Sequence, residues 1–214
     1  MTGGFARLAT DPADVRARTD AARDAGVPPL VTRRVTLRTV GPADLSFLYA
    51  TATDPEVAYR WRYRGSTPSP EQFAGELWQG VLCQYLVVRT DGGAPVGLVS
   101  AYQADLANRT GYVALLGDKG HDASGLMLES ALVFVTHLFR TWDFRQLYAE
   151  VPGYTLDAFA SGVGRYFQEE GRLVDHSYHA GRFWDLHILA IHRADWQKNA
   201  EPLLAALQDR GARD

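Results

Sequence analysis

Residues 59–64 alternate three aromatic side chains with three arginines, in the order Tyr59, Arg60, Trp61, Arg62, Tyr63, Arg64. Guanidinium groups form paired hydrogen bonds with carboxylates and phosphates, and aromatic faces attract cations and planar groups. The run is therefore a candidate site for an anionic or planar ligand. The alternatives are a partly buried loop and a surface that contacts a second copy of the chain in a homodimer.

A second candidate site is the glycine-containing turn between a short apolar run and a long apolar helix. Residues 112–116 are apolar or aromatic, residues 117–125 mix small and polar side chains, and residues 126–140 repeat apolar side chains at helical spacing. This pattern predicts a buried strand, a turn and a helix that is covered on more than one side. A helix start presents free backbone N–H groups at the positive end of the helix dipole, so the turn predicts a phosphate site.

The third candidate is a tyrosine and a glutamate on one predicted strand, residues 146–151. Tyr148 and Glu150 lie on the same face of this strand because successive side chains alternate. A glutamate buried among apolar neighbours has a raised pKa and acts as a base nearer neutral pH, and a tyrosine can donate a proton. The alternatives are an exposed carboxylate at the end of the strand and a tyrosine that only packs.

Composition and charge narrow the classes of protein. The chain has 214 residues, of which 46% are hydrophobic and 22% charged, values typical of a globular domain with a sizeable core. The net charge of −3 argues against a nucleic-acid partner, which a broad basic surface would hold. No apolar run reaches the ~20 residues needed to span a bilayer, so we expect no membrane partner.

Cysteine and histidine usage argues against disulfides and metals. The single cysteine, Cys83, excludes an internal disulfide framework and a site with several thiolate ligands, and it favours a reducing cytoplasmic location. His176 and His179 lie three residues apart, so they point to opposite faces of a strand. We therefore predict no metal site.

The remaining patterns predict a mixed α/β fold with the element order β, α, α, β, β, β, α, β, α, β, β. Asp91, Gly92 and Gly93 are typical of a hairpin turn, and Thr155 is a candidate cap for a helix over residues 156–167. Strand hairpins between helices favour a mostly antiparallel sheet. We expect an N-terminal extension over residues 1–32 with a short helix over residues 11–25, one domain over residues 33–197, and a tail over residues 198–214 with a further short helix.

Two sets of residues carry a resemblance to a known family. Near the front stand Leu37, Arg38, Pro42, Ala43, Asp44, Leu45, Asp54, Pro55, Glu56 and Val57. In the C-terminal part stand Glu169, Glu170, Gly171, Arg172, Leu173, Asp175, His176, Gly181, Arg182, Asp185, Arg193, Asp195 and Trp196. In order and spacing they resemble the GNAT acyltransferase superfamily, in the branch that contains the ribosomal-protein N-terminal acetyltransferases. The resemblance covers roughly residues 33–197.

The resemblance implies a fold and a donor site. Its members have a central, mostly antiparallel sheet with a V-shaped opening between strands four and five, where acyl-CoA binds. Of the family's R/Q-x-x-G-x-G/A turn, only the last glycine is matched here, at Gly125. Thr155 stands where the family commonly has an asparagine that contacts the donor. The implied donor-contacting residues are Leu115, Leu116, Ala123, Ser124, Gly125, Leu126 and Thr155.

The resemblance also implies an activity. The expected function is that of an N-acyltransferase, which moves an acyl group from acetyl-CoA or another acyl-CoA to the amine of a small molecule or a peptide N-terminus. Glu150 would be the base and Tyr148 the proton donor, and the acceptor would contact Arg60, Trp61, Arg62, Tyr63 and Arg64. Two alternatives are a GNAT-fold binding or scaffold protein without transferase activity, and an acyltransferase with a carrier-protein-bound donor.

Overall fold

A computed structural model describes residues 30–209, so the helix predicted over residues 11–25 lies outside the described residues. In chain order the elements are β1 (Val35–Arg38), α1 (Leu45–Thr53), α2 (Pro70–Glu76), β2 (Val81–Arg89), β3 (Pro95–Asp105), β4 (Thr110–Gly117), α3 (Leu126–Thr141), β5 (Gln146–Pro152), β6 (Gln168–His179), β7 (Arg182–His192), α4 (Arg193–Asn199) and α5 (Glu201–Asp209). No helix of this described part is long and apolar enough to cross a membrane.

The strands form one seven-stranded sheet in the order β1-β2-β3-β4-β5-β7-β6. Neighbouring strands are antiparallel except for β4 and β5, which are parallel because α3 carries the chain back between them. The prediction of a mixed, mostly antiparallel sheet is confirmed. The hairpin predicted at Asp91, Gly92 and Gly93 joins β2 to β3, and both of these glycines have the positive φ that such a turn requires.

Two apolar clusters cover the two faces of the sheet. One contains most of the buried face of α3 together with residues of β2 to β5, and Val113 and Leu115 of β4 pack in it. The other lies beneath α1 and α2, and Ala114 and Leu116 of β4 pack there. The central strand therefore packs on both faces, as its continuous apolar run predicts.

The C-terminal motif holds the end of α3. The guanidinium of Arg193 donates to the backbone carbonyls of Phe139, Trp142 and Phe144, which lie at and just beyond the last turn of the helix. The indole of Trp196 donates to the hydroxyl of Thr136, 2.9 Å away. Since helix ends leave carbonyls without intrahelical partners, Arg193 acts here as a C-terminal cap.

The helix predicted over residues 156–167 is wrong. The chain there forms a 3-10 segment, Gly153–Gly162, followed by turns that lead into β6. Gly162 and Gly164 interrupt the predicted range, and Gly164 has a φ of 77° that an α-helix cannot contain. The hydroxyl of Thr155 donates to the carbonyl of Pro152, so it caps no α-helix. The physical reason is that a few apolar residues at helical spacing do not outweigh closely spaced glycines.

Candidate active site

The sheet opens between β4 and β5. These strands pair only at Thr110 with Gln146, Gly111 with Leu147, and Tyr112 with Tyr148. Beyond these pairs, β4 stays with β3 as far as Gly117, whereas β5 stays with β7 as far as Pro152. The two strands therefore diverge towards their C-terminal ends. The diverging edges, residues 113–117 and 149–152, border an opening of the kind that the resemblance predicts.

The glycine-containing turn lies at the end of β4, where the strand reaches the opening. Residues Lys119–Ser124 form a 3-10 turn that contains Ala123, Gly125 follows with a φ of 72°, and α3 begins at Leu126. The hydroxyl of Ser124 accepts a hydrogen bond from the backbone N–H of Leu126. The predicted strand, turn and helix are confirmed, and the positive end of the α3 dipole faces the turn.

A buried carboxylate connects this turn to the start of β1. Glu129, in the first turn of α3, accepts a hydrogen bond from the hydroxyl of Thr32 and an ion-paired contact from Arg34 at 3.3 Å. The guanidinium of Arg34 also donates to the backbone carbonyl of Ser124. The turn is therefore held in place by a side chain about 90 positions away in the sequence.

Positive charge also lies beside the start of α3, although the turn lacks the family's basic residue. Arg33, Arg34 and Arg89 line a cavity of about 290 Å³ together with Asp91 and Leu126. Lys119 reaches the other side of the turn, where it pairs with Asp54 at 3.0 Å. These arginines could not be assigned to the turn from the sequence, because only the sheet brings the start of β1 and the β2–β3 hairpin to α3.

The predicted donor-contacting leucines have different surroundings. Leu115 is half-buried on the α3 face of the sheet. The side chain of Leu116 is only 2% exposed, beneath α1 and α2. The side chain of Leu116 therefore cannot line the opening, because alternation along the strand turns it to the other face and α1 and α2 cover it. Leu116 offers only its backbone to the opening.

Three tyrosines form a row across the sheet at the narrow end of the opening. The rings of Tyr102 and Tyr112 lie 5.7 Å apart, and those of Tyr112 and Tyr148 lie 5.5 Å apart. Burial, and then the charge of Glu150, raise the pKa of Tyr102 to about 12 against an opposing effect of Arg62 and Arg64. The same two causes raise the pKa of Tyr112. Both phenols therefore keep their protons at neutral pH, and sequence analysis identified neither as a site residue.

Glu150 and Tyr148 occupy one face of β5, the face that carries the tyrosine row. Glu150 is exposed at the opening. Of the two alternatives that the sequence left open, a buried base and an exposed carboxylate at the end of the strand, the structure shows the exposed one, because the neighbouring strand β4 has already diverged at this level. Tyr148 is half-buried, and its hydroxyl accepts a hydrogen bond from the side-chain amide of Gln146.

The arginine–aromatic run divides between the core and the surface. Trp61 is only 6% exposed within the cluster beneath α1 and α2, and Tyr63 is half-buried beside it. The prediction that all five residues 60–64 form one ligand-binding surface is wrong for the Trp61 ring, because its large apolar surface packs inward. Arg62 and Arg64 are exposed, and their described hydrogen bonds go to the carbonyl of Glu76 and the hydroxyl of Ser177.

Stacked rings join this loop to the β6–β7 hairpin. Tyr59 stacks on His179 with ring centroids 4.4 Å apart, and Tyr154 contacts the same imidazole at 4.5 Å. The hydroxyl of Tyr154 also donates to the backbone carbonyl of Tyr59, 2.8 Å away. Three segments far apart in the sequence therefore meet at one end of the opening. No local pattern in the sequence marks Tyr154 or His179 as partners of the loop.

Comparisons with known proteins agree with this geometry. The family model described as an acetyltransferase (GNAT) domain matches residues 34–152, more than half of the chain. No curated protein sequence matches significantly. Among solved structures, a spermidine N-acetyltransferase from Vibrio cholerae in complex with CoA and spermine superposes with a TM-score of 0.65 at 19% identity, covering 77% of this chain and 98% of that one. The ribosomal alpha-N-protein acetyltransferase RimL in complex with coenzyme A superposes with a TM-score of 0.64 at 18% identity, covering 77% of this chain and 97% of that one.

Proposed function

This chain belongs to the acetyltransferase (GNAT) domain family, and we propose that it is an N-acyltransferase that moves an acetyl group from acetyl-CoA to an amine. The observation that carries the proposal is the divergence of β4 from β5 beside the start of α3. This divergence gives the donor a gap between two strands and gives its phosphates a helix N-terminus. The two structures compared above are an amine and a protein N-terminal acetyltransferase, each with CoA bound.

The residues at the turn fit an acyl-CoA donor. Ser124, Gly125 and Leu126 would face its pyrophosphate, and the left-handed conformation of Gly125 keeps that approach free of a side chain. Leu115 would contact the apolar part of the donor at the edge of β4. Arg34 fixes the turn and contributes positive charge, in place of the basic residue that the turn lacks. The donor supplies an activated acyl thioester.

The exposed carboxylate and the phenols then divide the proton chemistry. In the transfer, a C–N bond forms, the C–S bond breaks, the amine loses one proton and the leaving thiolate gains one. Glu150, open to solvent at the gap, would accept the proton of the amine directly or through a water. Tyr148 would supply the proton to the thiolate. Tyr102 and Tyr112 keep their protons at neutral pH and would donate hydrogen bonds to the developing oxyanion.

Calorimetric titration tests the donor, with acetyl-CoA and longer acyl-CoA thioesters as the titrants. We expect saturable binding of acetyl-CoA and release of free CoA thiol when an amine is added. Absence of binding at millimolar concentration would contradict the proposal. Binding without any acyl transfer would favour the scaffold alternative, and transfer from an acylated carrier protein without CoA binding would favour the carrier alternative.

Two variants test the proposed proton transfers. Glu150→Gln should lower kcat by about a hundredfold and Tyr148→Phe by about tenfold, because each removes one proton-transfer group. The matched control is Glu71→Gln, at an exposed position of α2, which should turn over like the wild type. Unchanged turnover in both Glu150→Gln and Tyr148→Phe would show that neither side chain takes part.

A further inference from the structure

A pair of fully buried polar side chains lies on the face of the sheet beneath α1 and α2, which is called here the acceptor face. Gln84 of β2 is 3% exposed and Ser100 of β3 is 1% exposed, and the two residues stand directly opposite each other in the register. Among the described residues, neither amide atom of Gln84 nor the hydroxyl of Ser100 has a hydrogen-bond partner. Buried polar groups are almost always paired, so two adjacent unpaired ones require an explanation.

Their place in the sheet connects them to the opening. Ser100 pairs with Ala114 of β4, and Ala114 is the first residue on this face beyond the last β4–β5 pair. Neighbouring strands lie about 4.8 Å apart, so Ser100 is roughly 5 Å and Gln84 roughly 10 Å from Ala114 across the sheet. Ala114 has a small side chain, and Glu150 lies on the same face of the sheet across the opening. The three positions thus form a line from the opening into the acceptor face.

The loop of residues 59–64, called here the acceptor loop, contributes Trp61 to the apolar cluster on this face. Trp61 packs in the same cluster as Leu86, Leu98 and Leu116, which lie two positions along β2, β3 and β4 from Gln84, Ser100 and Ala114. The indole N–H of Trp61 is itself buried without a described partner. Three unpaired polar side chains, those of Trp61, Gln84 and Ser100, therefore lie on the same face of the sheet.

We propose that Gln84 and Ser100 form a polar slot that binds a neutral hydrogen-bonding group on the acceptor, so that the preferred acceptor is an amine carrying a carboxamide, peptide or hydroxyl group. This inference rests on the proposed N-acyltransferase function. The slot contains no charge, and both side chains can donate as well as accept, which suits an amide or a hydroxyl. Residues 59–64 move aside when the acceptor enters.

A polyamine fits this slot poorly. Its second ammonium would find no carboxylate at Gln84 or Ser100, and a buried charge without a partner is costly. It would also have to pass Arg62 and Arg64, which are exposed on the acceptor loop and carry like charge. We therefore expect this chain to prefer a different acceptor from spermine, which is bound in the Vibrio cholerae structure.

The test compares amino-alkanamides of increasing length with alkylamines of matched length and with spermidine, in the wild type and in Gln84→Met and Ser100→Ala. We expect the wild-type kcat/KM to favour one of the amides over its matched alkylamine by about tenfold or more. Each variant should lose that preference by raising KM for the amide, and KM for acetyl-CoA should not change. The control Gln79→Met, at an exposed position after α2, should behave like the wild type.

Three outcomes overturn the inference. Equal wild-type use of amides and alkylamines, or a preference for spermidine, would overturn the slot while leaving the proposed function intact. If both variants melt at a higher temperature but keep the wild-type preference, the groups serve a buried water only. A failure to transfer acetyl to every amine, despite binding of acetyl-CoA, would overturn the proposed function and the slot with it.

Discussion

The turn proposed to bind the donor, residues 119–125, and the loop proposed to contact the acceptor, residues 59–64, flank one opening, but different kinds of contact hold them in place. They are called here the donor turn and the acceptor loop. The donor turn is held by charged and hydrogen-bonded contacts that pair with one another: Thr32 and Arg34 with Glu129, Arg34 with Ser124, and Lys119 with Asp54. The acceptor loop is held by the buried ring of Trp61 and by stacked rings, and polar groups without described partners lie on the same face of the sheet.

This difference corresponds to two functions: the proposed donor has a constant structure, whereas acceptors differ in structure. A donor with a fixed diphosphate requires a rigid turn, which backbone groups and a braced helix start provide. An acceptor is selected by side chains, and each ring stack at this loop contributes only about 1 kcal/mol. We therefore expect substitutions at the donor turn to affect the fold and the donor together, and substitutions at the acceptor loop to affect the acceptor alone.

The largest expected effect comes from Gly97 of β3, beneath the start of α3. A Cβ at this position would lie 2.1 Å from the carbonyl oxygen of Leu116 and 2.8 Å from the sulfur of Met127. Because backbone cannot move aside cheaply, Gly97→Ala should lower the free energy of unfolding by about 3 kcal/mol. It should also weaken acetyl-CoA binding, because Met127 is the second residue of α3. Urea unfolding and calorimetry measure the two effects.

The matched control is Gly75 of α2, where an added Cβ meets nothing within 4 Å. Gly75→Ala should leave donor binding unchanged and raise stability by up to about 1 kcal/mol, because alanine favours helix. If both alanine variants had the same stability, the close approach at Gly97 would not constrain the fold.

An intermediate effect is expected from Arg34, which holds the donor turn. Arg34→Ala removes the contacts with Ser124 and Glu129 and leaves a buried carboxylate with only Thr32 as a described side-chain partner. We expect KM for acetyl-CoA to rise by about tenfold, equivalent to ~1.4 kcal/mol, with KM for the acceptor unchanged. Steady-state kinetics with each substrate varied in turn measure this, and an equal rise in both KM values would argue against a separate donor region.

Arg109→Ala serves as the control for Arg34→Ala. The guanidinium of Arg109 pairs with Asp143 at 2.9 Å, and both side chains are largely exposed. Exposed pairs contribute little, so neither KM value should change.

The smallest expected effect comes from the stack at the acceptor loop. His179→Ala removes the imidazole between Tyr59 and Tyr154. Ring pairs of this kind contribute about 1 kcal/mol, so KM for the acceptor should rise by about fivefold while donor binding stays constant. The control is His176→Ala, at an exposed position of the same strand. A change in donor binding equal to that in acceptor binding would show that the two regions are not independent.

Much of the fold could be predicted from local patterns. Ser69, Pro70 and Gln72 mark the start of α2, where the hydroxyl of Ser69 accepts from the backbone N–H of Gln72 as a capping box requires. Asp91, Gly92 and Gly93 mark the β2–β3 hairpin, and a continuous apolar run marks β4 as a central strand. These signals lie within a few residues of one another, so their free energies do not depend on the rest of the chain.

The site could be predicted only in part. The turn at Gly125 and the helix start at Leu126 were predicted because a turn before a helix has a local signature. The sequence left the exposure of Glu150 undecided, because that exposure depends on where β4 leaves β5. The burial of Leu116 likewise depends on α1 and α2 above it. The prediction of an α-helix over residues 156–167 was wrong because the apolar side chains there have helical spacing, whereas the glycines in the same range disfavour an α-helix.

The sequence alone therefore determined the succession of strands along the chain, the central strand, and a helix start suited to a phosphate, since each arises from contacts between near neighbours. Tertiary structure decided which side chains surround that helix start and which side chains lie on the other side of the opening. Arg34 reaches Ser124, Tyr59 reaches His179, and Gln84 meets Ser100 only after the sheet has brought distant segments together. In the proposed function, contacts of that kind would select the acceptor, because specificity requires several groups at fixed distances and no single stretch of chain can place them.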